Sequence, residues 1–215
     1  MGLKNKKVLV TAGPTWVPID KVRVISNVAT GKTGILLAKE FCRLGAKVTL
    51  LLGPVKYDYL NKNIKLINFQ FFAELKDLIK KELSSKKYDI FIHTAAVSDY
   101  RPLKTYSYKI KSDIKNLKLS LIPTEKLIEM IKKIAPYIFL VGFKLEEGVS
   151  SKRLISRAKS LIKRAKLDLA VANEVYNNYY RAFIVNHKKI QGPFFNREEM
   201  VKNLIKLIGE KICQN

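Results

Sequence analysis

Apolar runs alternate with amphipathic stretches along the chain, in the rhythm of parallel β/α units. Lys7 to Thr11 reads as a short buried strand, ended by Ala12-Gly13-Pro14-Thr15. After a loop, Gly34 to Leu44 places Ile35, Leu36, Ala38, Phe41 and Cys42 at helical spacing. Lys47 to Leu52 is a second strand stopped by Gly53-Pro54, Lys65 to Phe69 a third, and Ala73 to Leu83 the next helix. Asp89 to Ala96 is a fourth strand running into a polar loop, and Thr124 suits the N-cap of a helix through Ile134. Ile138 to Phe143 is a fifth strand, Ser151 to Lys166 a very basic helix, and Leu167 to Ala172 a sixth strand. Residues 182–194 read as a hairpin or edge pair, and Glu198 to Cys213 as a closing helix. The expected fold is α/β: one Rossmann-like domain over residues 1–215, with a doubly wound, mostly parallel sheet and helices on both faces. Ligands of such sheets sit outside the carboxyl ends of the strands. The loops after the first, fourth and fifth strands are therefore the informative ones.

Composition narrows the class. With 47% hydrophobic residues, seven Pro and ten Gly, the chain can bury a sizeable core, which excludes disorder, collagen and coiled coil. No stretch approaches the ~18 apolar residues of a membrane helix, and the N-terminus lacks the apolar segment of a secretory signal. Two cysteines, Cys42 and Cys213, make no disulfide framework and fit a reducing compartment, so a cytoplasmic protein is expected. The net charge of +23 invites a nucleic-acid reading. Yet it divides into +9 over residues 1–100 and +14 over 101–215, mostly as Lys, which reads as solvated faces. A nucleic-acid binder would show a basic stripe with interleaved aromatics; Tyr176, Tyr179, Tyr180 and Arg181 come near that but read as a lid or loop.

Several chemistries are excluded by spacing. Gly31-Lys32-Thr33 resembles the tail of a P-loop, but Ser26 stands where its first glycine belongs. The dinucleotide fingerprint is missing as well, because the first turn offers only Gly13 followed by Pro14. That weakens the runner-up, a nucleotide-dependent oxidoreductase, whose Tyr-x-x-x-Lys spacing occurs only as Tyr100 to Lys104, off any helix. Cys42, His93, His187 and Cys213 lack metal-ligand spacing; Cys42 reads as core, and His93, ending a buried strand, as structural. No metal site is expected.

What remains is an amide, lysines and backbone N–H groups facing an anion. Arg23, Asn27 and Lys32 lie in the loop after the first strand, where Thr30-Gly31 can open a helix whose amides attract phosphate. Asp99 and Lys109-Ile110-Lys111 follow the fourth strand. Phe143 can stack a base, and Lys159 and Lys163 share one helix face. Together these features point to a nucleotide-triphosphate site.

Taken in order, Val8 to Thr15, Pro18 to Arg23, Ile25-Ser26-Asn27, Thr30 to Gly34, Ala95 to Tyr100, Lys109-Ile110-Lys111, Val141 to Glu146 and Asp168 to Val175 resemble phosphopantothenoylcysteine synthetase. That family joins 4′-phosphopantothenate to L-cysteine in coenzyme A synthesis, through an acyl-nucleotidylate formed from CTP or ATP with Mg²⁺. The resemblance implies that Asn27 contacts the acyl intermediate, that Arg23 is an anion or positioning contact and that Lys109 serves activation. It implies nucleotide contacts from Thr94, Ala95, Ala96, Asp99 and Phe143, and from the helix start formed by Glu125, Lys126, Leu127 and Ile128. Two family lysines fall, counting back from Asp168, on Leu161 and Ala165; Lys159 and Lys163 keep their spacing two residues away. Val17 stands where the family has Glu. Signals for the base conflict: Phe143-Lys144-Leu145-Glu146 looks like the ATP-using type, Lys109-Ile110-Lys111 like the CTP-using type. The resemblance further implies a homodimer and, with six residues before the first strand, a separate decarboxylase chain and no flavin. No membrane or nucleic-acid partner is expected.

Overall fold

The computed structural model describes residues 2–85, 87–176 and 179–213. Its elements run β1 (Lys7–Ala12), β2 (Trp16–Pro18), β3 (Val24–Ser26), α1 (Lys32–Arg43), β4 (Lys47–Leu52), β5 (Lys65–Asn68), α2 (Phe72–Ser84), β6 (Ile90–His93) and β7 (Tyr100–Pro102). They continue through β8 (Leu121–Pro123), α3 (Leu127–Ile134), β9 (Phe139–Leu145), α4 (Ser151–Ala165), β10 (Leu169–Tyr176), β11 (Tyr179–Val185), β12 (Ile190–Phe194) and α5 (Arg197–Ile212).

One eight-stranded sheet carries the fold, in the order β12-β11-β10-β9-β6-β1-β4-β5. The six strands from β10 to β5 are parallel; β11 and β12 add an antiparallel edge. Alternate residues of each strand feed two cores. Val8, Val10 and Ile92 pack with Leu37, Phe41, Leu204 and Ile208 of α1 and α5. Leu9, Phe91 and Leu140 pack on the other face with Leu75, Ile79, Ile131 and Leu161 of α2, α3 and α4. Strands that are apolar on both faces must be covered on both, which is why the chain reads as uninterrupted apolar runs. The chain winds outward from β1 to one side and, after α2, from β6 to the other. The switch point thus falls between β1 and β6, and a crevice opens beyond their carboxyl ends.

The structure corrects the sequence reading in three places. The sixth strand runs to Tyr176, because β10 stays paired with β11 as far as Tyr176 opposite Tyr179. Tyr176, Tyr179, Tyr180 and Arg181 are therefore strand residues and not a lid. Two short ribbons, β2–β3 and β7–β8, occupy stretches that read as loops. The second ribbon draws Thr124 away from the helix it was expected to cap. Thr124 N–H donates to Asp99 O (2.9 Å), its hydroxyl donates to Ser98 O (2.5 Å), and Lys126 caps α3 instead. Among the described residues no helix is long and apolar enough to cross a membrane.

Candidate active site

The ends of β1 and β6 are zipped together. Ala96 N–H donates to Gly13 O (2.9 Å) and Thr15 N–H to Ala96 O (3.3 Å). Ser98 N–H donates to Thr15 Oγ1 (2.9 Å), and the Ser98 hydroxyl to Thr15 O (3.0 Å). Thr15 and Ser98 are buried, so these bonds are shielded from water and fix the loop. Thr94 donates its hydroxyl to Thr11 O (2.7 Å). Asn27, exposed at the rim, ties the loop from above, with Nδ2 donating to Ala96 O (3.1 Å) and Val97 O (3.2 Å). Both amide protons are thus spent on the loop, leaving Oδ1 as the free polar atom.

Glycines let α1 close on this edge. A Cβ on Gly34 would lie 2.4 Å from Thr94 Oγ1 and 2.5 Å from Ala12 Cβ. Gly31 caps α1 at φ 69, in the left-handed region, and no acid occupies the helix's first turn. Gly34→Ala should cost about 1–3 kcal/mol through overpacking. For a chain of this size that lowers the melting temperature by roughly 2–4 °C per kcal/mol, which a thermal melt reads directly.

Arg23 is engaged with protein and not turned to a free anion. Its Nη1 donates to Asp20 Oδ2 (2.6 Å) and to Ile110 O (3.1 Å). Asp20 is buried and also accepts N–H bonds from Val22, Arg23 and Ile110. Burial alone would raise its pKa; the amides and the guanidinium outweigh that and hold it well below the usual carboxylate range. This pair pins the segment carrying Lys109 beside the β2–β3 turn, and Lys109 itself is exposed. Asp20 is the residue that sequence reading left without a role; its signal was a short Asp three residues before an Arg, within a turn.

Across the crevice, Lys126 Nζ meets Asp99 Oδ1 at 2.5 Å. Both side chains are largely exposed, and such pairs are worth ~0–1 kcal/mol, so an arriving phosphate can take the lysine over. Glu125 turns away to Lys76 (2.7 Å), which holds its carboxyl below the ordinary value. Leu127 is buried. Ile128 packs over Gly142, where a Cβ would sit 2.6 Å from Ile128 Cδ1, and Gly142 is followed by half-buried Phe143. Lys126 caps α3 without a side-chain bond; of the first-turn amides, Glu129 N–H donates to Lys126 O (3.0 Å), while Leu127 and Ile128 N–H receive no capping side chain.

Thr94, Ala95, Ala96, Asn27, Asp99 and the stretch from Lys126 to Ile128 therefore lie together at the carboxyl edge of the sheet, with Phe143 on the next strand. Lys159 and Lys163 are exposed on α4. The ion pair of Arg164 with Glu129 (2.6 Å) sets the last turn of α4 beside the first turn of α3. Leu161 and Ala165, the positions of the family lysines, are in the core. Val17 is likewise buried. Cys42 packs partly buried against the α1 and α5 core, as expected. Tyr100 lies in β7, so the Tyr100–Lys104 spacing is not helical. A cavity of about 550 Å³ opens at the opposite, amino edge beside Lys7, Asp89 and Tyr137, away from all of these residues.

His93 lies beneath the opening. Ala95 N–H donates to Thr11 Oγ1 (3.3 Å), and the Thr11 hydroxyl shares a hydrogen bond with His93 Nδ1 (2.9 Å). Burial pushes the His93 pKa from 6.5 down to about 4. Between those values the unfolded chain takes up a proton that the folded chain refuses. Stability is complete above pH 6.5 and falls as the pH drops through the window, by roughly 3 kcal/mol in all. His93→Asn should flatten that loss, read as the difference in melting temperature between neutral and acidic buffer.

A second residue escaped the sequence reading. Asn173 is nine-tenths buried on β10, and its Oδ1 has no hydrogen-bond partner among the described residues. It stands two residues beyond Val171, the register partner of Phe143.

Sheet order and crevice place the protein in the Rossmann-like class of α/β proteins that take ligands at the switch point. Residues 3–210 match the family model described as DNA/pantothenate metabolism flavoprotein C-terminal domain, and the chain belongs to that family. It is 43% identical over 171 residues to the coenzyme A biosynthesis bifunctional protein CoaBC of Thermococcus kodakarensis, covering 80% of this chain and 42% of that one. A crystal structure of the DNA/pantothenate metabolism flavoprotein from Streptococcus pneumoniae superposes with TM-score 0.87 at 25% identity, over 96% of this chain and 99% of that one. The fold is shared too with a Cab2 mutant in complex with phosphopantothenate-cysteine, at TM-score 0.77 and 21% identity, over 97% and 87%. The chain spans about half the length of the curated relatives it matches.

Proposed function

We propose that this chain is a ligase that joins 4′-phosphopantothenate to L-cysteine in coenzyme A biosynthesis. A carboxylate oxygen attacks the α-phosphorus of CTP or ATP and pyrophosphate leaves. The cysteine amine then attacks the acyl carbon, expelling the nucleoside monophosphate. The observation that carries this reading is the crevice itself. Asn27 and the zipped Ala95–Ala96 loop form one wall, and Lys126 with the uncapped Leu127 and Ile128 N–H groups of α3 forms the other. Both steps develop charge on oxygen, and fixed donors are the means of stabilising it. No protein nucleophile is needed, and the crevice presents none.

In this reading Phe143 and Asn173 meet the base, Lys109 and Lys126 meet the triphosphate, and Mg²⁺ enters with the nucleotide. Among the described residues no group of three or more His, Cys, Asp or Glu side chains is placed to hold a metal by itself. Val22, Val24 and Val28 stand exposed on the β2–β3 arm and support a homodimer formed through it. The test is pyrophosphate release with 4′-phosphopantothenate and Mg²⁺, comparing CTP with ATP, with and without cysteine. Release that requires phosphopantothenate and quickens with cysteine is expected; no release with either nucleotide would remove the assignment.

A further inference from the structure

The connection between β7 and β8, residues 103–120, forms neither helix nor strand. Connections of that length are uncommon in compact domains unless they serve a function, and without fastenings they are mobile. This one is fastened to the turn between β2 and β3. The Thr105 hydroxyl donates to Pro18 O (3.3 Å), and Tyr106 N–H donates to Ile19 O (2.9 Å). A further fastening lies at Ile110, which is buried. Ile110 N–H donates to Asp20 Oδ2 (3.1 Å), and Ile110 O accepts from Arg23 Nη1 (3.1 Å). The same Nη1 donates to Asp20 Oδ2 (2.6 Å), so carboxylate, guanidinium and the Ile110 backbone close a triangle.

Asp20 divides its two oxygens between two tasks. Oδ1 accepts from Val22 N–H (2.8 Å) and Arg23 N–H (2.7 Å), which shapes the turn. Oδ2 accepts from Ile110 N–H and the guanidinium, which ties the distant connection to that turn. An asparagine would serve the first task alone. The second needs an acceptor on both oxygens, and that is what a buried carboxylate supplies at the cost of its desolvation. Lys109 is the exposed neighbour of the residue held in this way. A long, flexible side chain acts most effectively from a fixed backbone, because a misplacement of about 1 Å can cost ~10²-fold in rate. We propose that Asp20 is a positioning residue for the activation step, acting through Ile110 to fix the backbone from which Lys109 meets the triphosphate, which rests on the ligase reading above. Arg23 is the second strap of the same fastening, and neither residue needs to touch the reacting atoms for this role.

The experiment measures pyrophosphate release, at steady state and in single turnover, with 4′-phosphopantothenate, Mg²⁺ and CTP or ATP. It compares wild type, Asp20→Asn, Lys109→Gln and the double variant. Asp20→Asn keeps an oxygen for the turn but sets an amide N–H₂ group against Ile110 N–H and the guanidinium, so the turn survives and the fastening is lost. Release should slow about tenfold or more, in kcat more than in the KM for phosphopantothenate, with no build-up of acyl-nucleotidylate. The double variant should stay within about twofold of Lys109→Gln alone, because a residue that acts only through the lysine has nothing left to position. Arg23→Met removes the strap on Ile110 O and leaves Asp20 its three amide donors; it serves if Asp20→Asn folds poorly, with the same slowing and the same non-additivity expected. Release by Asp20→Asn within about twofold of wild type, or losses that multiply in the double variant, overturns the role and leaves the ligase intact. No release by wild type with either nucleotide overturns both.

Discussion

Asn27→Asp should leave pyrophosphate release within a few-fold of wild type while cutting formation of the cysteine amide by about 10²–10³-fold, the usual cost of removing one oxyanion-hole donor. The structure sharpens the reason. Asn27 Nδ2 gives both protons to Ala96 O and Val97 O, at the loop that walls the crevice. A carboxylate has no proton to give, and it would set its own lone pairs against two carbonyl oxygens. The loop loses its upper tie, and the acyl carbonyl, which must draw one of these protons away from Ala96 O or Val97 O, loses its donor. Activation, which depends on the triphosphate side, is spared. Single-turnover quenching should therefore show acyl-nucleotidylate accumulating. Normal turnover by the variant would remove Asn27 from the mechanism.

Lys109→Gln should act on the other half of the reaction, lowering pyrophosphate release itself by roughly 10²-fold. Glutamine keeps a donor but not the charge, and a triphosphate is held chiefly by charge. Lys109 is one residue from Ile110, whose N–H and C=O are both taken, by Asp20 and by Arg23. The lysine therefore projects from a fixed point. Unchanged release would shift the phosphate contact to Lys126 or to Lys159 and Lys163. Stopped-flow detection of pyrophosphate reads the difference without waiting for cysteine.

The sheet was legible because its strands are buried on both faces, so apolar runs such as Val8 to Val10 and Leu50 to Leu52 stand out against any helix. The ribbons were not legible. Trp16–Pro18 and Leu121–Pro123 are three residues each, too short to show a period, and both end in proline. Thr124 looked like an N-cap because its local sequence fits one; the partner that captured its hydroxyl, Ser98 O, is 26 residues away. Asn27, Asp99 and Phe143 are candidates that ordered motifs single out. Asn173 was visible only inside a motif, and only the tertiary structure shows its Oδ1 buried without a hydrogen-bond partner among the described residues. Arg23 was singled out by motif, and its engagement with Asp20 and Ile110 needed the tertiary contact to show it.

The central claim is that the carboxylate is activated by attack on the α-phosphorus. Labelling both carboxylate oxygens of 4′-phosphopantothenate with ¹⁸O tests it most directly. The account predicts one ¹⁸O in the nucleoside monophosphate and one in the new amide carbonyl, with none in pyrophosphate. Label appearing in inorganic phosphate, with a nucleoside diphosphate as co-product, would contradict it and mean that an acyl phosphate forms instead.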